Sequence, residues 1–134
     1  MKSFFLLALI FLLGSSLSLE ANEPYDNNLA GKKLICFTDS DSIEDWGIKF
    51  LSNKRVVLYS LDKFIFEIYE HKRSYKTDLR NIKIYNGKDI DFLINRETLR
   101  FGNKKCKITN VDPLYLLKSK IEDIKKSKAK KNIL

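Results

Sequence analysis

The stretch INRETLRFGNKKCKI, residues 94–108, decides the fold of this chain, because it ends a β-rich region and contains one of the two cysteines. It has the pattern of the end of one strand, a short strand, a turn and a last strand. The other cysteine, Cys36, lies in the first strand-like run, 70 positions before Cys106. If the sheet curls, its two ends approach each other, and a Cys36–Cys106 disulfide would hold the closure and protect the edges. The alternative is two reduced, buried thiols.

Eight short runs rich in β-branched and aromatic residues cover this region. Many of them alternate apolar and polar residues with a period of two, which predicts strands. Their short connections predict antiparallel neighbours. We therefore expect a mainly β fold: an antiparallel meander of about eight short strands forming a small barrel or sandwich, followed by one C-terminal α-helix. The runs are 33–38, 46–52, 55–61, 63–71, 79–85, 89–96, 98–101 and 106–109.

The alternation also predicts how the strands pair, since residues opposite each other on neighbouring strands share a face. Within the fourth run, Phe64, Phe66 and Ile68 are expected on one face. The same rule predicts two loops with their paired residues: a three-residue loop at 85–87 that pairs Ile82 with Ile90, and a four-residue loop at 102–105 that pairs Phe101 with Cys106.

The pattern changes at residue 112, where a helix is predicted to begin. Asp112 can cap this helix and Pro113 suits its first turn. Apolar residues then recur at helical spacing: Leu114, Leu117, Ile121 and Ile124. The simplest interpretation is that this stripe packs on the sheet or closes a barrel end. The alternative is that the helix and its lysine-rich tail dock on a membrane surface or a partner. The narrow apolar face between lysines favours packing on the sheet.

The first residues have the layout of a secretory signal peptide, with Lys2 followed by the apolar run Phe4 to Leu13 and by small residues. A membrane-spanning helix needs about 20 apolar residues, so this run is too short for one. Cleavage is expected near Ala21, or after Ser18, and an uncleaved anchor is the alternative. The predicted organisation is a signal peptide at 1–21, a flexible lead-in at 22–31, a β domain at 32–110, and a C-terminal amphipathic helix with a basic tail at 111–134.

The chain carries a formal net charge of +8, which invites comparison with nucleic-acid-binding proteins. We do not expect nucleic acid as a partner, because export would separate the protein from the nucleic acid of the cell. The excess of lysine over arginine, 20 to 5, also follows the bias of an A+T-rich genome whatever the function. A basic surface favours anionic partners. The expected location is the periplasm or the exterior, and the expected partner is a periplasmic protein or an anionic envelope component. Contact with a membrane is less favoured.

The sequence contains no motif of a catalytic or metal site. The acidic run DSDSIED, 39–45, departs from an EF-hand calcium loop, which, counted from Asp39, would need glycine at Glu44 and glutamate at Phe50. His71 is the single histidine, and no CxxC, GxSxG, HExxH or phosphate loop occurs. We therefore predict no enzyme activity, no metal and no cofactor. Trp46 is predicted to pack in the core or at the mouth of a barrel.

An early cysteine, a meander of short strands and a late cysteine resemble the layout of the small periplasmic β-barrel inhibitors of c-type lysozyme. YNGKDIDFLINRETLRFGNKKCKI, 85–108, is similar to the closing segment of that family, and the resemblance covers residues 33–109. FLINRETLRF, 92–101, is also similar to closing strands of uncharacterised exported bacterial β proteins.

The family resemblance implies a barrel and an inhibitory loop that would contain Ser74, Tyr75 and Lys88. HKRSYKTD, 71–78, keeps Tyr75 and nearby basic residues, but it lacks the glycine of the family's Ser-Gly pair. The order of residues in NGKD, 86–89, also departs from the Lys-Gly order of the family. The fold can therefore carry over without the inhibition.

Three functions follow from these observations. The leading hypothesis is an exported, non-enzymatic β domain that binds a periplasmic or envelope-associated ligand. The second is an inhibitor of c-type lysozyme. The third is a structural envelope protein that docks through its basic C-terminal helix.

Overall fold

A computed structural model describes residues 27–131 of the chain, so the predicted signal peptide, the first half of the predicted lead-in and the last three residues lie outside the described part. The described residues form nine antiparallel strands and a C-terminal helix, as the sequence predicts for the fold class. The strands are β1 (Lys33–Cys36), β2 (Asp45–Phe50), β3 (Arg55–Asp62), β4 (Glu67–Thr77), β5 (Asn81–Asn86), β6 (Asp89–Asn95), β7 (Arg100–Phe101), β8 (Lys104–Lys105) and β9 (Lys107–Ile108); helix α1 is Pro113–Lys131.

The sheet curls into a nearly closed barrel. Strands β1 to β8 follow one another across the sheet in chain order, but β9 pairs with β1 at the other edge. Only Cys106 separates β8 from β9 in the chain, so the two edges are brought together at this residue. The predicted disulfide between Cys36 and Cys106 is present, and it joins the end of β1 to the junction between β8 and β9.

The alternation of side chains along the strands produces two apolar clusters. The larger cluster lies inside the barrel and includes Leu34, Trp46, Ile48, Phe50, Val56, Leu58, Tyr75, Ile82, Ile84, Ile94 and Phe101. The smaller cluster contains Ile35 and Leu61 from the strands and Leu117 from α1. Neighbouring residues on a strand point to opposite faces, so Leu34 faces the interior while Ile35 faces the helix.

Helix α1 packs against β1, β2 and β3, as the apolar stripe predicts. The Asp112 carboxylate accepts a hydrogen bond from the Leu114 amide at 3.1 Å, which is the expected N-terminal cap. Leu117 is fully buried, whereas Leu114, Ile121 and Ile124 are half-buried. Burying a leucine side chain stabilises by about 1.5–3 kcal/mol, so Leu117 is the main anchor of the helix on the sheet.

The predicted loop at 85–87 and the predicted pair of Ile82 with Ile90 are both wrong. A two-residue turn, Gly87 and Lys88, joins β5 to β6, and Asn86 pairs with Asp89. The register then shifts, because Tyr85 is opposite Ile90 while Ile84 is opposite Phe92. Asp91 is therefore an extra residue in β6, and this bulge restores the buried Ile82–Ile94 pair that alternation demands. The additional residue that the alternation requires therefore lies in strand β6 and not in the loop.

The predicted loop at 102–105 is also wrong. Gly102 and Asn103 form a two-residue turn, so Phe101 pairs with Lys104 and not with Cys106. Gly102 has φ of +60°, and glycine at the first central position is the signature of a tight hairpin turn of this kind. Cys106 lies beyond the hairpin, and its amide donates to the Leu99 carbonyl at 2.9 Å.

The predicted strand at 63–71 begins only at Glu67, because residues 63–66 form the turn between β3 and β4. The expected shared face of Phe64, Phe66 and Ile68 is therefore wrong. Phe64 is exposed on the turn, and Phe66 has φ of +58°, which reverses the chain before β4 starts. Aromatic and β-branched residues gave this turn the appearance of a strand.

Two polar segments are held more firmly than the sequence suggests. In the second half of the predicted lead-in, Leu29 is buried in the barrel core and its amide donates to the Tyr75 hydroxyl at 3.0 Å. At the end of the acidic run, Asp45 is buried and forms a 3.0 Å ion pair with buried Lys63. The same Asp45 oxygen accepts a hydrogen bond from the Thr38 amide at 2.7 Å. Asp45 therefore differs from the other acidic residues of this run, Asp39, Asp41 and Glu44, which are exposed.

Candidate functional site

Strand β6 has an open edge, and this edge borders the candidate site. On one side β6 pairs with β5 along its length, but on the other side only Ile94 pairs, with Phe101 of β7. Among residues 27–131, no strand therefore covers the outer side of residues 89–93. The cause is local: β7 and β8 are only two residues long each, so their hairpin ends before it reaches the start of β6.

A depression of about 450 Å³ lies beside this open edge, and we call it the β6 groove. Its apolar lining combines the rings of half-buried Phe92 and buried Phe101 with the side chains of Ile90 and Leu93, which are each about half exposed. The bulge at Asp91 contributes to this exposure, since it shifts the register of Ile90 relative to the rest of β6. The lining residues are Ile90, Asp91, Phe92, Leu93, Phe101, Gly102 and Lys104.

An aromatic cluster supports the groove from inside the barrel. The ring centroid of Phe92 lies 4.9 Å from that of Phe101, and Trp46 lies 5.3 Å and 5.4 Å from these two rings in edge-on arrangements. His71 stacks on Trp46 at 5.5 Å. Trp46 is buried, as predicted for core packing, and its indole Nε1–H has no hydrogen-bond partner among the described residues. Rings packed in this way form a rigid floor.

Lys104 supplies a positive charge at the groove. Its Nζ lies 5.4 Å from the centroid of Phe101 and 5.8 Å from that of Trp46, which are cation–π distances. Burial lowers the pKa of Lys104 below its ordinary value, and the negative charges of Glu44 and Asp45 partly oppose that effect. An incompletely solvated ammonium gains from a carboxylate that approaches it, because little water must be removed from the cation.

The other charged groups at the groove are already paired. The Arg73 guanidinium donates from Nε to the Asp91 carboxylate at 3.0 Å, and both side chains are partly buried. Asp91 is the extra residue of the bulge in β6, and its carboxylate reaches Arg73 on β4. Lys104 is the cation that lies over the rings of the groove.

Ser60 and His71 form a hydrogen bond that the sequence did not indicate. The distance between Ser60 Oγ and His71 Nε2 is 3.1 Å, and β3 pairs with β4 in a register that brings the two residues close. Ser60 is buried, so its hydroxyl lies in the interior of the barrel. We assign this pair to the packing of the interior. Within residues 27–131, no group of three His, Cys, Asp or Glu side chains is placed to hold a metal ion.

The residues implied by the lysozyme-inhibitor resemblance meet at a second, separate depression of about 430 Å³. Ser74, Tyr75 and Lys88 all line it, together with Lys54 and Lys76. Ser74 lies opposite Tyr85 across β4 and β5, and Lys88 is in the turn that follows β5, which explains the proximity. Tyr75 is only 1% exposed and belongs to the core, so Ser74 and Lys88 are the members of the set that a partner could touch.

Comparison with protein-family models, curated proteins and solved structures finds no match to this chain. The resemblance to the lysozyme inhibitors, and the roles that it implies for Ser74 and Lys88, therefore stay predictions.

The disulfide bears on the location of the protein. Disulfides persist in oxidising compartments and are rare in the cytosol, so the Cys36–Cys106 bond indicates an exported protein. Within residues 27–131, no helix has the length and hydropathy needed to cross a membrane.

Sequence reasoning missed the β6 groove. The patterns predict strands at 89–96 and 98–101 and a loop at 102–105, and they do not indicate over what length the two strands pair. One signal was present: the run 98–101 is half as long as the run 89–96, so it could cover only part of its neighbour.

Proposed function

We propose that this protein is an exported binding module that holds an extended segment of a partner protein along the open edge of β6. The observation that carries the proposal is the uncovered edge of residues 89–93 beside a groove with an aromatic floor. The proposed activity is binding, without catalysis and without a cofactor. The layout of the first residues adds a cleaved signal peptide and a periplasmic or secreted location to the proposal.

Backbone geometry gives the physical reason for an extended ligand. An edge strand presents unpaired amide and carbonyl groups, which another extended chain can satisfy by adding a strand. Main-chain hydrogen bonds then supply affinity, and alternate side chains of the ligand enter neighbouring pockets. Here the groove offers Ile90 and Leu93 for apolar side chains.

The charge of the groove specifies the ligand further. Lys104 lies over the rings of Phe101 and Trp46, and burial disfavours its charged form. A carboxylate would relieve that penalty through a charge-assisted hydrogen bond. We therefore propose that the bound segment carries an acidic residue, or its C-terminal carboxylate, next to apolar residues.

A peptide array tests this proposal. Seven-residue peptides of varied sequence, with and without Asp or Glu, are probed with the oxidised protein, and bound peptides are titrated in solution. The fluorescence of Trp46, the chain's single tryptophan, reports binding because its ring supports the groove. Leu93→Lys should weaken binding at least tenfold, since a lysine on an edge strand opposes pairing with another chain.

Leu79→Lys is the matched control, because Leu79 is also exposed but lies in the turn between β4 and β5, outside the groove. This variant should bind as the unsubstituted protein does. The proposal fails if no peptide binds, or if the two variants bind the same peptides with equal affinity.

A second candidate is inhibition of c-type lysozyme, favoured by the meeting of Ser74 and Lys88 at one depression. Glycosidases of this kind cleave with a pair of carboxylates, and an ammonium presented on a turn complements them. In a cell-wall lysis assay, micromolar protein should slow lysis, and Lys88→Ala should abolish the effect. Lys105→Ala, a change to another exposed lysine outside this depression, is the control. Unchanged lysis at micromolar protein removes this candidate.

A further inference from the structure

The turn between β3 and β4 presents apolar side chains to solvent. Phe64 is 72% exposed and Ile65 is 55% exposed, and they occupy adjacent positions at the apex. The turn is nevertheless held in one conformation, because the Asp62 carboxylate accepts hydrogen bonds from the Phe64 amide at 2.9 Å and the Ile65 amide at 3.4 Å. The Phe66 amide also donates to the Asp62 carbonyl at 2.8 Å. Two large apolar side chains are thus held out in water by a defined turn.

One residue of this turn is of a type that is unusual at its backbone conformation. Gly, Asn and Asp are the usual residues where φ is positive, yet Phe66 has φ of +58°. Phe66 therefore occupies a position where a glycine or asparagine would fold with less strain. A strained position of this kind points toward a functional role for the segment.

A group of lysines lies next to this turn. The Nζ atoms of Lys125 and Lys128 are 5.6 Å and 5.2 Å from the centroid of the Phe66 ring, so the C-terminal turns of α1 pass next to the turn. Lys126, Lys130 and Lys131 continue this exposed basic end.

The acidic groups near the turn include Asp62 and Glu67, which have partners, and exposed Glu44, whose negative charge reaches Tyr69. Asp62 caps the turn, and Glu67 accepts a hydrogen bond from the Tyr69 hydroxyl at 2.8 Å. Glu122 and Asp123 lie on α1, before the basic end. Lys63 is buried with Asp45 and contributes no charge to this surface.

We propose that the exposed side chains Phe64 and Ile65, together with Lys125 and Lys128, form a docking tip for an anionic lipid bilayer. The bilayer fits because its charged headgroups lie above an apolar layer, which matches lysines placed next to a turn with exposed apolar side chains. Leu117 is buried on the sheet and Ile121 packs against the same cluster, so the docking tip uses the turn and the lysines and not the apolar face of the helix. This surface is separate from the β6 groove, so docking is independent of the proposed peptide binding.

Vesicle flotation tests the docking tip. The exported, oxidised protein is mixed with vesicles of phosphatidylcholine alone or with a third of phosphatidylglycerol, at low and physiological salt. It should bind the anionic vesicles and not the neutral ones. Phe64→Ser with Ile65→Ser should weaken this binding at least tenfold, and Lys125→Gln with Lys128→Gln should weaken it about tenfold or more, with a reduced dependence on salt.

Ile90→Ser with Leu93→Ser is the matched control, since it removes two exposed apolar side chains at the β6 groove and should leave flotation unchanged. All variants should unfold near the same urea midpoint, because the substituted side chains are exposed. The proposal is overturned if the turn variant floats as well as the unsubstituted protein. In that case the lysines bind any polyanion, and heparin or nucleic acid would compete with the vesicles for the protein. Failure of the peptide array would leave this result unaffected.

Discussion

Gly47 of β2 lies directly beneath Pro113, the first residue of α1. A Cβ atom placed on Gly47 would come within 2.6 Å of the Pro113 Cβ and 3.4 Å of the Leu117 side chain. The helix can approach the sheet this closely because residue 47 has no side chain.

Gly47→Ala should therefore destabilise the protein by about 1–3 kcal/mol, as overpacking of a filled site does. Urea unfolding measures the loss. Pro113→Gly removes the conflicting Cβ, so the effect of Gly47→Ala should shrink when both changes are combined. Simple addition of the two effects would contradict the contact.

The disulfide should be a major source of stability. It closes a loop with a sequence separation of 70, for which the chain-entropy model gives about 4 kcal/mol. Replacing both cysteines by serine should lower the free energy of unfolding by about this amount, and adding reductant to the unsubstituted protein should have the same effect. Intact mass after alkylation of the unreduced, denatured protein should show no free thiol. Two alkylated cysteines would contradict the bond.

The buried pair of Asp45 and Lys63 should respond asymmetrically to substitution. Lys63→Met leaves the Asp45 carboxylate buried without its counter-charge and should cost about 3–5 kcal/mol. Asp45→Asn combined with Lys63→Met removes both charges, so the double variant should be more stable than the single one. A double variant that is less stable than Lys63→Met would show that the pair does not act as a unit.

Leu117 should carry most of the packing energy of α1. Leu117→Ala should destabilise by about 2–5 kcal/mol, since a fully buried leucine is removed from the cluster with Ile35 and Leu61. Tyr115→Ala is the control on the same helix, because Tyr115 is exposed and its change should be nearly neutral. Truncation after Thr109 should lower the urea midpoint as well. An unchanged midpoint after truncation would contradict the packing of the helix.

Asp78 should titrate at unusually low pH. The amides of Asn81 and Arg80 donate to its carboxylate, and Lys83 lies 3.3 Å away, so the pKa of Asp78 is lowered from 3.8. A group with a lowered pKa in the folded state stabilises the protein above its unfolded pKa, and this contribution is lost as the pH falls through the folded value. Carboxyl NMR should give a midpoint below 3.8, and Asp78→Asn should reduce the acid sensitivity of unfolding. A midpoint at or above 3.8 would contradict the turn geometry.

The parts of this fold that the sequence predicts are those that depend on periodic patterns. Alternation of apolar residues identifies the strands, helical spacing identifies the stripe around Leu117, and the positions of the two cysteines at the ends of the sheet indicate their bond. Each of these signals extends over several residues, so one irregular position does not hide it.

The errors arise where a single residue decides the geometry. Because Ile84 and Phe92 share a face, alternation requires one extra residue between them. The pattern does not indicate whether a loop or a bulge contains this residue. Phe64 and Phe66 have strand propensity, yet the capping carboxylate of Asp62 and the positive φ of Phe66 make the segment a turn. The β6 groove was missed for a related reason, because an open edge depends on where a neighbouring hairpin ends and not on the residues of the edge itself.

A chain with only two cysteines allows a single intramolecular pairing, so an incorrectly matched isomer cannot form within one molecule. Cys36 ends β1 and Cys106 lies between β8 and β9, so this single bond links the two edges of the sheet that β9 and β1 join. The state of one bond therefore reports whether the two ends of the sheet are covalently linked.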